Sequence, residues 1–385
     1  MKMGELIFIM ENTVYFGRMQ KIREEMAKAG IDVFLVSPSS NLFYLSGCGL
    51  KGDERLLLLV LPREGEPFIL ANLLYKEQVK SLPVQEFAFW KDGEDPFGLL
   101  KAEINKRNIP VKKAALEPQI PALFSLPISE VFPGALFVLG STLTDDLRQY
   151  KDSREIDLIR RASREMDKGL AAVIEKAATS GAGSYWIGKT EAEFGEELFA
   201  ELRRRGLETP GATVAVGANA AVPHHGIKKT VIENGKCLLI DFWSRLEGYY
   251  TDCTRTFHFG KPDAEFEKIY SIVLEAHLAA EAAAQPGNLL GDVDKAARSV
   301  IEKYGYGDYF THRTGHGIGI DIHEGDSANK GVKIPIKPGM VFSIEPGIYF
   351  PGRFGVRIEN LVAIGEKGPE ALHAFPRELR IIGDQ

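Results

Sequence analysis

Two stretches of this chain each set a pair of acids inside an otherwise apolar β-hairpin, and few folds tolerate that. In the first, Cys237-Leu238-Leu239-Ile240-Asp241-Phe242-Trp243 reads as a strand, Arg245-Leu246-Glu247-Gly248 as a turn, and Tyr249 to Phe257 as the return strand carrying Asp252. A hairpin centred between Leu246 and Glu247 sets Asp241 opposite Asp252. Paired residues point to the same side of a sheet, so the two carboxylates would stand with Cβ atoms ~5 Å apart. In the second, Val341 to Tyr349 and Gly355 to Val362 flank a turn holding Pro351-Gly352. Centred on Gly352, it pairs Glu345 with Glu359. Like charges directly opposite one another destabilise a sheet. Something of opposite charge must neutralise them, and a bound metal is the natural candidate.

Between the hairpins runs His312-Arg313-Thr314-Gly315-His316-Gly317-Ile318-Gly319-Ile320-Asp321-Ile322-His323-Glu324. Glycines on both sides of His316 allow the backbone to come close to a site. Pro223-His224-His225-Gly226 forms a loop further upstream. Six of the eight histidines fall in or beside these segments: His224, His225, His258, His312, His316 and His323. Taken singly, each has a plainer reading. His258 is an ordinary strand histidine, His225 is structural, and the glycines mark a tight turn. Two acid pairs in apolar hairpins with this loop between them are harder to assign to chance.

At 385 residues the chain is long enough for two domains. The first part alternates helix and strand. Met19 to Ala29 is an amphipathic helix, Ile31 to Val36 a strand, and Ser37 to Asn41 a loop. Arg55 to Leu61 and Pro67 to Ala71 form a hairpin, and Val111 to Leu116 is a strand after a charged helix. A polar stretch, 145–153, marks a boundary near residue 150. Beyond it Ile156, Ile159, Ala162, Met166, Leu170, Val173 and Ala177 keep helical spacing. Thr190 and Glu193 form a capping box for a second helix. Helices over about 263–284 and 292–304 follow. Each helix pair precedes a strand pair, so 151–385 reads as one helix-helix-strand-strand unit used twice.

Composition narrows the function. Hydrophobic residues make up 44%, charged residues 26%, and the net charge is −6 with no long basic run, which argues against nucleic acid as a partner. No apolar run approaches the ~20 residues a membrane span needs. Three cysteines, Cys48, Cys237 and Cys253, form no pairing framework and suit a reducing, cytoplasmic setting. Met10, just ahead of Glu11, is an alternative start to Met1.

The stretches LLIDFW, YYTDCTRTF, RTGHGIGIDIHE, FSIEPGIYF and GVRIEN resemble the signature of the pita-bread metallopeptidases, the family of aminopeptidase P, prolidase, methionine aminopeptidase and the metal-free creatinase. The resemblance spans roughly 150–380. It implies an α/β N-terminal domain over 1–150 and an α+β pita-bread (creatinase/aminopeptidase-like) catalytic domain over 151–385. It further implies two divalent metal ions, with Asp241 on one, Asp252 and Glu359 bridging, and His316 and Glu345 completing the second. Glu345 is the implied general base. His224 would contact substrate beyond the scissile bond, and His323 would stand near the tetrahedral intermediate. His312 would lie in the outer shell, and Arg357, on the face of Glu359, would anchor the bridging carboxylates. Four carboxylates and one imidazole favour Mn²⁺, Co²⁺, Fe²⁺ or Zn²⁺ without thiolates.

Within that family the N-terminal domain and the stretch Asn41 to Gly47 resemble prolidases and aminopeptidases P, and the full metal set separates the chain from creatinases. Many prolidases carry an arginine shortly after the His-Glu pair that clamps a dipeptide's carboxylate. Here Glu324-Gly325-Asp326-Ser327-Ala328-Asn329-Lys330 holds none, leaving Lys330 or Arg353 as substitutes. The expectation is therefore an Xaa-Pro aminopeptidase acting on peptides with a free N-terminus and proline second. The alternative is an Xaa-Pro dipeptidase (prolidase), and a binding protein without activity is the reading from another class. A homodimer is implied by the resemblance alone.

Overall fold

The computed structural model describes residues 3–179 and 185–382, with side chains of 13–176 and 185–382. It divides into two compact units, Met1–Leu147 and Arg148–Gln385.

The first unit follows the order α1 (Met3–Ala29), β1 (Val33–Val36), α2 (Ser40–Ser46), β2 (Leu58–Pro62), β3 (Phe68–Asn72), α3 (Lys76–Val79), β4 (Glu86–Trp90), α4 (Pro96–Lys106), β5 (Lys113–Leu116), α5 (Ala122–Val131), β6 (Leu136–Leu139) and α6 (Ser141–Gln149). Its six strands lie in the order β4-β3-β2-β1-β5-β6. The β2–β3 hairpin is antiparallel, and β1, β5 and β6 run parallel. Two expectations change. Helix α1 begins well before Met19. The segment read as a loop ends early, because Ser39 accepts the Leu42 N–H and starts α2, which Gly47 closes at φ 71°.

In the second unit, α7 (Ser153–Thr179) and α8 (Glu191–Arg204) precede β7 (Glu208–Val216), β8 (Cys237–Leu246) and β9 (Tyr249–Phe259). Next, α9 (Ala264–Ala283) and α10 (Leu290–Lys303) precede β10 (Val341–Ile344), β11 (Gly347–Phe350), β12 (Phe354–Arg357) and β13 (Asn360–Gly365). Strands β14 (Gly368–Ala371) and β15 (Arg380–Ile382) close the unit. The capping box at Thr190 and Glu193 is present. Helix α10 starts two residues before Asp292, whose carboxylate accepts the Leu289 N–H at 2.9 Å.

Strands β8 and β9 show how period-two alternation builds the site. Leu238, Ile240, Phe242, Cys253 and Phe257 pack into one core with α7 and α8. Cys237 and Leu239 face the other way, into the core of α9 and α10. Asp241 and Asp252 share this second face. Strand β15 lies parallel to β9 and completes a four-stranded sheet, β15-β9-β8-β7. The three cysteines are buried and unpaired. Among the described residues no helix is long and apolar enough to cross a membrane.

Candidate metal centre

The first hairpin turns one residue later than its sequence suggests. Glu247 and Gly248, at φ 49° and 86°, form the two-residue turn that matches strand twist. Leu246 pairs with Tyr249, so Asp241 lies opposite Thr254, and Asp252 opposite Trp243. The two acids are diagonal neighbours rather than direct partners. They still share a face, since a change of two in the pairing leaves the side of each residue unaltered.

The second hairpin has the expected register but is broken in the middle. Ile344 pairs with Asn360 and Gly347 with Arg357, while Glu345 and Glu359 lie in the gap between these ladders. Pro346 brings no N–H to a ladder there. The gap leaves the amides of Glu345 and Glu359 to other segments, and they bond the carbonyls of Thr314 and Thr254 at 2.7 and 3.1 Å. Those bonds tie the second hairpin to the histidine loop and to β9.

The glycines around His316 serve close approach. A Cβ on Gly315 would lie 1.7 Å from the Ser343 carbonyl oxygen, and one on Gly317 2.1 Å from that of Glu324. The His316 N–H donates to Ser343 Oγ at 3.0 Å, seating the loop on β10. Beneath the loop, Glu324 accepts the Asp321 N–H and pairs with Lys151 and Arg148.

All five expected ligand positions, Asp241, Asp252, His316, Glu345 and Glu359, line one cavity of about 790 Å³ together with His224, His225, His312, His323, Arg313, Trp243 and Arg357. Ligand atoms of Asp252, His316 and Glu359 all lie within 4.8 Å of one another. His316 Nε2 is 3.5 Å from Glu345 Oε1 and 3.8 Å from Asp252 Oδ2. His258 does not join them: it lies against Phe266, with Nδ1 on the Gly260 carbonyl.

The electrostatics of this cluster fit divalent cations. His316 Nδ1 donates to the Gly317 carbonyl at 3.1 Å, so the neutral ring turns the bare lone pair of Nε2 towards the carboxylates. Burial, with His323 close by, holds His316 down at about 3, so it stays neutral. Asp252 Oδ1 and Glu359 Oε1 are buried with no hydrogen-bond partner. Burial and the neighbouring acids push the carboxyls of Asp252 and Glu359 well above their usual range, and burial raises Glu345 to about 7. Orphaned carboxylate oxygens facing an imidazole lone pair are a donor set that suits a divalent cation. A second buried group, Asp167, Cys253 and His373, also brings ligand atoms together. There the carboxylate is satisfied by His373 and by the amides of Ala374 and Phe375, which makes it a structural dyad.

Arg357 is fully inside rather than in a surface pair. Its Nη2 bonds Asp241 Oδ2 at 2.5 Å, Nη1 the Tyr349 hydroxyl and Nε Thr254 Oγ1. It thus orients Asp241 directly, and reaches Glu359, one of the two acids expected to bridge, through Thr254. Thr254 in turn donates to Glu359 Oε2 at 2.7 Å. His312 accepts from Tyr349 through Nε2 at 2.7 Å, with Nδ1 on the Arg313 carbonyl. His225 pairs with buried Glu191, and His323 stacks edge-on against His316 with centroids 4.1 Å apart. Thr254 and Ser343 escaped the sequence reading, although Thr254 alternates with Asp252 along β9. Arg313 was also missed. Lys330 is exposed and outside the cavity, and Arg353 pairs with Glu265 on the surface, so neither takes a clamping position.

Comparisons with known proteins agree with this architecture. The family model of metallopeptidase family M24 matches residues 157–366, and that of the creatinase/prolidase N-terminal domain matches 18–150. A probable dipeptidase, PepE, of Mycobacterium tuberculosis is 35% identical over 96% of this chain and 97% of its own length. The crystal structure of a prolidase from Thermococcus sibiricus superposes with a TM-score of 0.89 at 34% identity, covering 95% of this chain and 99% of that one. An X-Pro aminopeptidase from Thermotoga maritima gives 0.83 at 29% identity, covering 94% and 99%. A two-unit hydrolase of peptide bonds with a metal-dependent centre is the class these findings define. The chain belongs to metallopeptidase family M24, with a creatinase-type N-terminal domain ahead of a pita-bread catalytic domain.

Proposed function

We propose that this peptidase is an Xaa-Pro dipeptidase working with two divalent ions, Mn²⁺, Co²⁺, Fe²⁺ or Zn²⁺, held by Asp241, Asp252, His316, Glu345 and Glu359. The observation that carries the reading is the orphaned pair of buried oxygens, Asp252 Oδ1 and Glu359 Oε1, beside the bare Nε2 of His316. The sequence alone favoured cleavage of longer peptides. Relatives of similar length named dipeptidase and prolidase move the reading to dipeptides.

When bound, the ions supply charge that lets four carboxylates share one cavity, and Lewis acidity towards water and the scissile carbonyl. The chain's own groups do the rest. Glu345, whose Oε1 accepts from Ser343 Oγ at 3.2 Å, takes a proton from the attacking water and returns it to the leaving proline nitrogen. His323 donates towards the oxygen that gains charge at the carbonyl. His224, on the Pro223–Gly226 loop, contacts the residue beyond the scissile bond. Arg357 fixes Asp241.

A metal-titrated assay on Ala-Pro and Ala-Pro-Ala, with Asp252→Asn as control, tests the reading. Ala-Pro turnover that vanishes in the control supports it. Turnover of Ala-Pro-Ala alone would restore the aminopeptidase reading, and silence on both would remove it.

A further inference from the structure

Inside the cavity, two arginines face four acids. Arg357 has its Nε, Nη1 and Nη2 occupied by Thr254, Tyr349 and Asp241. Arg313 differs. Among the described residues its guanidinium makes one hydrogen bond, Nη1 to Ser327 Oγ at 2.9 Å, and pairs with no carboxylate within 4.0 Å. A guanidinium with free donors, turned into an acid-lined cavity, is the arrangement that receives an anion.

The backbone beneath Arg313 is held from both sides. Arg298 donates to the carbonyls of Phe310 and His312, each at 3.0 Å. Asp294 accepts from the Thr314 amide and hydroxyl at 3.2 and 2.9 Å. Arg298 and Asp294 pair with each other at 2.9 Å. The segment that carries Arg313 is thereby set before any ligand arrives, so little ordering is left to oppose binding.

Resting on the dipeptidase reading above, we infer that Arg313 is the carboxylate clamp of this enzyme: it takes the C-terminal carboxylate of a dipeptide whose amino group lies towards the acids. A dipeptide is a zwitterion about 7 Å from end to end. A cavity with acids and one uncommitted guanidinium complements both of its charges. A longer peptide extends past Arg313 and offers it only a neutral amide. The clamp therefore comes from the loop just before His316, not from the stretch after His323. Arg313 is a specificity residue, and it does not touch the reacting atoms.

The test uses the metal-loaded protein with Ala-Pro and its C-terminal amide, Ala-Pro-NH2. Wild type is expected to favour the acid. In R313Q the acid-to-amide ratio of kcat/KM should fall about 10- to 100-fold, mostly through KM, as for loss of a charged hydrogen-bonded pair. R313K should recover part of the ratio, since an ammonium keeps the charge but not the fork. It also keeps the test open if R313Q folds poorly. A ratio unchanged in both variants overturns the clamp and leaves the dipeptidase reading standing. Wild type that shows no preference for the acid, or that cleaves Ala-Pro-Ala and not Ala-Pro, overturns both.

Discussion

Glu324 gives the most searching test of how the histidine loop is held. Its side chain is 6% exposed, and it pairs with Lys151 Nζ at 2.9 Å, itself 2% exposed, and with Arg148. Arg148 also has Asp321, but in Glu324→Gln the lysine keeps a neutral acceptor in place of its carboxylate. Stranding a buried charge costs about 3–5 kcal/mol, and the retained acceptor sets the low end, about 3. Unfolding entropy near 2.1 cal/mol/K per residue over roughly 240 residues of the second unit is about 0.5 kcal/mol/K. The melting midpoint should therefore drop by about 6 °C, read by scanning calorimetry on metal-loaded protein. The effect has a signed pH dependence. Burial alone would raise the Glu324 carboxyl, but Lys151 and then Arg148 outweigh it and hold it below the usual range. A depressed value means the contribution is present above the unfolded pKa, ~4.3, and is lost as pH falls through the folded one. The gap between wild type and variant should narrow below about pH 4. Adding Lys151→Met to Glu324→Gln should recover much of the loss, because it removes the stranded cation. A drop under about 1 °C, or a double variant less stable than the single, would refute the argument.

Two further outcomes follow from the same geometry. Arg357→Lys keeps a charge but cannot reach Asp241, Tyr349 and Thr254 together, so metal affinity measured by calorimetric titration should weaken about 10- to 100-fold, and unaltered affinity would contradict the role given to Arg357. Chelation should lower the midpoint of wild type by about 5 °C, from about 2.7 kcal/mol at a hundredfold excess of ion over Kd, whereas Asp252→Asn should show no metal-dependent shift and be no less stable than wild type without metal; an equal shift in both would count against Asp252 as a ligand.

Legibility in the sequence followed the range of the forces involved. The helices and strands of the second unit were readable because period 3.6 and period 2 are local signals, and the cap at Thr190 needs only Glu193 three residues on. The shared face of Asp241 and Asp252 was readable for the same reason, and it survived an error in the turn because parity is insensitive to a shift of two. What the sequence concealed was tertiary. That Arg357 turns to Asp241 depends on a strand 116 positions away. That Glu345 and Glu359 sit in a break between ladders depends on where Thr314 and Thr254 offer carbonyls. Arg313 was hidden because an arginine in a loop is usually a surface residue, and only the cavity reveals which way it faces.

The pairing of β15 with β9 bears on how the chain is made. Arg380–Ile382 lie beside Phe257–Phe259, and Arg255, on the same strand as Asp252, is held by the carbonyls of Phe375 and Pro376 at 2.7 and 3.0 Å. During synthesis every proposed ligand leaves the ribosome before the segment that braces the sheet of Asp241 and Asp252. A nascent or clipped polypeptide ending near residue 370 would carry the whole ligand set without the scaffold that aligns it.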